Sequence, residues 1–372
     1  MRIASSTGAL WALALFFPAA VAMQASAQTP TAPASPQSRP AAPLSVDSDP
    51  VPSPDPANAP GVTPPRTTAV DGGITRENGR FTLRANAYEV RLNASVIDSS
   101  GRTIDSLPKE AFKVYEDGVA QTILGFRHED LPVSIGILID SSGSMYDKRS
   151  SVDQASLDLV RLSNPQDEAF LVDFSSEAYI DQDFTSDIAK LQQGLGYVKA
   201  SGGTALYDAV IASSDYLSKN AKRPKQVVLI ITDGEDNASS ATLEQTIRRV
   251  QDLDGPAIYC IGLLFGDDVG RGEARHAREV LQELSEQTGG QAYFPKSLKE
   301  VDGITREVAQ DIRTQYTLEY RSTKSPELGG YRKIHVEAHD KNFRGLQVRT
   351  RTGYFPKTAT NDPAATATPD GN

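Results

Sequence analysis

The stretch Asp140-Ser141-Ser142-Gly143-Ser144-Met145 places one carboxylate and two hydroxyls at alternate positions of a tight turn. Downstream, Gly202-Gly203-Thr204 adds a third hydroxyl, and Thr232-Asp233-Gly234-Glu235-Asp236-Asn237 adds a second carboxylate at Asp233. All five groups are hard oxygen donors, the kind that small divalent cations prefer. Taken alone, the Asp-x-Ser-x-Ser turn is equally compatible with an ordinary Asx or Ser turn capping a helix. The chemistry therefore depends on whether the fold brings three distant loops to one place.

The elements between those loops supply the means. Val133–Ile139, Phe170–Phe174, Val227–Ile231 and Ile258–Leu263 are short, nearly continuous apolar runs, as expected of strands covered on both faces. Helical periods separate or follow them: Val152, Ala155, Leu159 and Val160, then Leu206, Ala209, Val210 and Leu217, then Val301, Ile304, Val308 and Ile312. Such alternation predicts an α/β domain over residues 131–314, a doubly wound, mostly parallel sheet with helices on both faces. In open sheets of this kind ligands sit at the carboxyl ends of the strands, where Asp140 and Asp233 both fall.

The flanks are β-rich. Residues 80–130 hold the alternation Val90, Leu92, Ala94, Val96, a second strand at Phe112 and Val114, and a hairpin signal at Glu116-Asp117-Gly118 before Val119, Gln121 and Ile123. Residues 315–356 hold Tyr316, Leu318 and Tyr320, then Ile334, Val336 and Ala338, then Leu346 and Val348. Each flank is small for a core of its own. The expectation is that they pair into one β-sandwich-like domain with the α/β domain inserted between them.

In order and in frame, the Asp-x-Ser-x-Ser turn, the lone threonine and the later Asp-Gly resemble the von Willebrand factor type A domain. The resemblance covers about half the chain, and the flanks are similar to those of exported bacterial proteins that carry such a domain. It implies a metal-ion-dependent adhesion site made by Asp140, Ser142, Ser144, Thr204 and Asp233, none of them substituted. It also implies Mg2+ as the ion, with Mn2+ or Ca2+ as alternatives, and a partner protein presenting an Asp or Glu carboxylate. Three hydroxyls and two carboxylates do not enclose such an ion completely, so an open or water-filled position is expected. In the family the threonine loop moves between direct and water-mediated contact, which would make Thr204 the mobile ligand. Two other readings stand beside adhesion: a metal-assisted hydrolase, and a scaffold whose site meets no partner. Against catalysis, no histidine, lysine or cysteine is placed by motif to act as a base, and no catalytic residue is assigned.

Composition narrows the rest. A net charge of -10 argues against binding nucleic-acid backbones and is compatible with holding cations. The single cysteine, Cys260, excludes an internal disulfide framework and lies in an apolar strand, which reads as a buried thiol. An EF-hand starting at Asp140 fails, because its sixth position is Met145 and its twelfth is Ser151. Phosphate-binding glycine fingerprints are absent. His335, Glu337 and His339 share one strand face that reads as solvated, with nothing nearby to complete four zinc ligands. Asn93-Ala94-Ser95 and Asn237-Ala238-Ser239 match glycosylation acceptors, which matter only in a host that glycosylates.

Residues 1–27 show a cationic start, an apolar middle and Ala25-Ser26-Ala27, the pattern of a secretory signal peptide. Left uncleaved, this segment would be the chain's membrane contact. Residues 28–72 are rich in Pro, Ala, Ser and Thr and read as a semi-rigid spacer. Residues 357–372 read as a disordered tail. The expected location is outside the cytoplasm, in a periplasm or at or beyond the cell surface.

Overall fold

In the computed structural model the described residues are 74–77 and 80–83 (backbone alone), 89–162, 164–196, 201–252, 255–265 and 270–356. The signal-peptide, spacer and tail assignments lie outside them. Among the described residues no helix is long and apolar enough to cross a membrane.

In chain order, β1 (Ile74–Glu77) and β2 (Arg80–Leu83) form an antiparallel pair. They are followed by β3 (Glu89–Ile97), β4 (Phe112–Glu116), β5 (Val119–Gln121) and β6 (Ile123–Arg127). The central domain contributes β7 (Val133–Asp140), α1 (Arg149–Arg161), β8 (Glu168–Phe174), β9 (Ala178–Thr185), α2 (Ile188–Leu195) and α3 (Leu206–Asn220). It continues with β10 (Lys225–Thr232), α4 (Leu243–Asp252), β11 (Ala257–Gly262), α5 (Arg271–Thr288), β12 (Ala292–Tyr293) and α6 (Val301–Arg313). The chain closes with β13 (Tyr316–Arg321), β14 (Arg332–Ala338), β15 (Gln347–Arg349) and β16 (Gly353–Tyr354).

The central sheet runs β12-β11-β10-β7-β8-β9. Every neighbouring pair is parallel except β8 with β9. Its two faces are sorted by the pleat. Ile135, Ile137, Ile139, Leu229 and Ile231 pack with α1, α2 and α6. Leu138, Phe170, Val172, Val228 and Ile230 pack with α3, α4 and α5. All eight residues of β7 are buried, which is why its sequence is apolar without alternation. Chain order reverses about β7, which has β8 on one side and β10 on the other, so the carboxyl ends of β7 and β10 flank the topological switch point. The exposed, mixed pattern of the edge strand β9 carries no strand signature in the sequence.

The flanks interleave in two four-stranded antiparallel sheets, β15-β3-β13-β6 and β16-β14-β4-β5. Each sheet takes strands from both sides of the central domain. Val90, Leu92, Val114, Tyr316, Leu318, Ile334 and Val336 fill the space between them. The expected single strand through Val119, Gln121 and Ile123 is divided. β5 pairs with β4 and β6 pairs with β13, so the chain changes sheets at Thr122. At the hairpin before β5, Asp117 and Gly118 both have positive φ (47° and 79°), the geometry that Asp-Gly favours. In β13 the alternation also needs amending. Thr317 and Glu319 are buried along with the apolar residues, because side chains of the neighbouring strands cover them: Thr317 donates to Asn93, and Arg91 and Arg127 lie against Glu319.

Polar contacts tie the sandwich to the central domain. Arg349 pairs with Asp311 of α6 at 2.5 Å, and Asp311 also accepts from the Tyr259 hydroxyl at 2.5 Å. Gly289 ends α5 at φ 87°, and a side chain there would meet the Arg351 backbone nitrogen at 2.5 Å. This glycine is therefore required both by its backbone angle and by the close approach of the second flank.

Candidate functional site

The site is built at the end of β7. Asp140 is its last residue and lies abreast of Thr232, the last residue of β10, because Ile139 and Ile231 are in register. The Thr232 hydroxyl donates to Asp140 Oδ2 at 2.5 Å, and the Ser142 backbone N–H donates to Oδ1 at 2.8 Å. Asp140 has no solvent exposure. Burial therefore holds its carboxyl above the usual carboxylate range, although these hydrogen bonds oppose the shift; the charge of Asp233 adds to it.

From Ser142 a line of oxygens runs to the third loop. The Ser142 and Ser144 hydroxyls are 3.1 Å apart, and Ser144 donates to Asp233 Oδ1 at 2.8 Å. Thr204 is buried, and its hydroxyl lies 3.9 Å from the position a side chain would take at Gly234. The structure thus brings Asp140, Ser142, Ser144 and Asp233 into one cluster, with Thr204 packed against the loop that carries Asp233.

The second loop is anchored by its backbone. Thr204 N–H donates to Asn237 Oδ1 at 2.9 Å, and the Thr204 carbonyl accepts from the N–H groups of Asn237 and Ala238 at 2.9 and 3.1 Å. Asp236 accepts the Tyr207 N–H at 3.1 Å near the start of α3 and also binds Ser239, so its carboxylate serves the loop. Gly203 permits this closeness, since a side chain there would meet Asn237 Oδ1 at 2.7 Å. Ser201 N–H donates to the Ser141 carbonyl at 2.8 Å, joining the second loop to the first.

Three participants are not marked by the sequence pattern. Thr232 precedes the expected aspartate, and its role appears only when β7 and β10 are set in register. Asp173 accepts from Ser141 at 2.9 Å. It lies beside Asp181 of β9, whose carboxyl is pushed up to about 7 by burial and then by the Asp173 charge. Lys148, just before α1, donates from Nζ to Asp233 Oδ2 at 2.6 Å, with side-chain exposures of 10% and 0%.

The donor set fits a hard divalent cation. Two carboxylates and hydroxyl oxygens converge at the carboxyl ends of β7 and β10, Asp140 is buried with no cationic partner among the described residues, and the chain already lodges one positive charge, that of Lys148, against Asp233.

Residues 135–235 match the von Willebrand factor type A domain. The match spans all five expected ligands. Similar solved structures include BatB from Bacteroides thetaiotaomicron, at 16% identity over 48% of this chain and 98% of that one, TM-score 0.38. Another is a von Willebrand factor type A protein from Catenulispora acidiphila, at 14% identity over 72% and 75%, TM-score 0.41. A third is the vWF domain of the type V pili tip protein Mfa5 from Porphyromonas gingivalis, at 14% identity over 49% and 95%, TM-score 0.40. No curated protein sequence matches significantly.

The other candidates lie away from this cluster. Cys260 is buried and its thiol is pushed up to about 12 by burial. His335 and His339 are exposed on either side of Glu337, at 3.4 and 3.5 Å from its oxygens, and no group of three or more His, Cys, Asp or Glu suited to a metal occurs among the described residues. A polar cleft of about 380 Å³, lined in part by Arg91, Gln226, Thr288 and Glu319, opens where the sandwich meets the opposite end of β10, away from the site.

Proposed function

We propose that this chain is an exported, metal-dependent protein-binding module. A divalent cation, Mg2+ or alternatively Mn2+ or Ca2+, would be held by Asp140, Ser142, Ser144, Thr204 and Asp233. When bound, the ion supplies Lewis-acid coordination of a carboxylate from an Asp or Glu of the partner protein. The observation that carries this reading is the unbroken oxygen path Ser142–Ser144–Asp233 beside the buried Asp140.

The protein's own groups divide the work. Thr232 and the Ser142 N–H fix the Asp140 carboxylate by donating to its two oxygens, which favours the charged form against the opposing effect of burial. Ser142 and Ser144 present neutral oxygens, so the negative charge facing a divalent cation comes from Asp140 and Asp233, and Lys148 offsets part of it. Asn237 and Asp236 hold the Thr204 and Asp233 loops together, so any movement of Thr204 carries the third loop with it.

Binding without turnover is the better reading than metal-assisted hydrolysis. Among the described residues the amine at the cluster belongs to Lys148, and it donates to Asp233 rather than standing free as a base. The histidines are elsewhere: His128 lies against Tyr316, His276 is in α5, and His335 and His339 are at the sandwich. The test is an array of peptides with and without Asp or Glu, probed in Mg2+ and in chelator. Binding that needs both the metal and the peptide carboxylate, and that is lost in Asp140→Ala, supports the proposal. Binding that persists in chelator, or peptide cleavage seen by mass spectrometry, overturns it.

A further inference from the structure

Both oxygens of Asp233 are taken by the chain itself. Ser144 donates to Oδ1 at 2.8 Å and Lys148 to Oδ2 at 2.6 Å. The Lys148 backbone is firmly held. Its N–H donates to the Met145 carbonyl at 3.0 Å, and its own carbonyl accepts from Ser151 and Val152 at 3.2 Å each. What remains free to move is the four-carbon stem and its ammonium. Arg149 next to it is turned to Asp153 at 2.7 Å, so it does not share this task. Asp140, by contrast, accepts among the described residues from neutral groups, those of Thr232 and Ser142.

An ammonium carries three donors and no acceptor, so it cannot join a metal's shell and can only compete for the same carboxylate. A divalent ion at Asp233 would face a like charge within a largely buried site, where repulsion is weakly screened. We infer that Lys148 is a built-in counter-cation that occupies Asp233 until a divalent metal displaces it. Loading then requires the ammonium to swing out, and the site has a lower metal affinity than its oxygens alone would confer. The metal level of the surroundings, as well as the partner, sets whether the site is open. This rests on the metal-dependent reading above.

The experiment is isothermal titration of the chelator-stripped full chain with Mn2+ alone, comparing wild type, Lys148→Met and Lys148→Gln. Melting temperature is measured with and without Mn2+. The uncharged variants are expected to bind Mn2+ about tenfold tighter or more. Their melting temperatures without metal should fall while the Mn2+-induced rise grows. Equal or weaker Mn2+ binding in folded variants, with the wild type binding normally, overturns the role of Lys148 and leaves the metal site standing. Absence of Mn2+ binding in wild type and variants alike overturns both.

Discussion

Replacing Asp233 by alanine tests the electrostatics of the site without any metal. The Lys148–Asp233 contact is 2.6 Å long, with the carboxylate fully shielded and the lysine side chain 10% exposed. At an effective dielectric of about 20, two unit charges at that separation attract by about 6 kcal/mol. Much of that offsets the desolvation both groups suffer on burial. Removing one partner strands the other, and that typically costs about 3–5 kcal/mol. Asp233→Ala in chelator should therefore lose about that much unfolding free energy, a fall in melting temperature on the order of 10 °C. The double variant Asp233→Ala/Lys148→Met removes the stranded charge and should recover most of the loss. The assay is denaturant unfolding followed by far-UV circular dichroism, since the only tryptophan, Trp11, lies outside the described fold. An Asp233→Ala protein within about 0.5 kcal/mol of wild type, the ordinary range for a surface substitution, would refute the reasoning.

Other substitutions probe the supports of the same site. Thr232→Val removes a donor to the buried Asp140 carboxylate and should cost about 1.5–3 kcal/mol, read by the same unfolding curves, with weaker Mn2+ binding. Gly203→Ala puts a methyl group 2.7 Å from Asn237 Oδ1; a titration should show several-fold weaker Mn2+ binding as the Thr204 loop is forced away. Asp181 is protonated more readily in the fold, at about 7, than at its ordinary 3.8. The folded state therefore binds the extra proton, and its stability falls as pH rises from about 4 to 7. Asp181→Asn should flatten that slope in melting temperature against pH. Lys225, buried with its Nζ on the Ile312 carbonyl at 2.6 Å, is lowered by burial from 10.5 to about 8. It loses its proton first in the folded state, so stability should gain between pH 8 and 10.5, and Lys225→Met should abolish that gain.

The buried parallel strands were legible because covering both faces forces continuous apolar runs such as Val133–Ile139, and their carboxyl ends point to Asp140 and Asp233. The Asp-x-Ser-x-Ser turn alone does not separate an ion-holding loop from a helix-capping turn; the order of the three loops along the chain is what singles out Ser142, Ser144 and Thr204, and the contacts among Ser142, Ser144 and Asp233 appear only in the fold. The sheet change at Thr122 was hidden, since alternation continues unbroken through Gln121 and Ile123 whichever sheet each residue joins. The strand β9 was hidden because an edge strand with both faces partly wet shows no period. Lys148 was hidden for a different reason. Its partner is far away in sequence, and a lysine at a helix start ordinarily faces water, so only the packing of the first loop against the third reveals the pair.

The central claim is that three loops of this chain grip one divalent ion. Anomalous diffraction from a crystal grown with Mn2+ addresses it directly. The expected result is a single strong peak bonded to the Ser142 and Ser144 hydroxyls, with Asp140, Thr204 and Asp233 around it directly or through water and the Lys148 ammonium withdrawn. A Mn2+-soaked crystal with no peak at the ends of β7 and β10, and Lys148 still on Asp233, would contradict it.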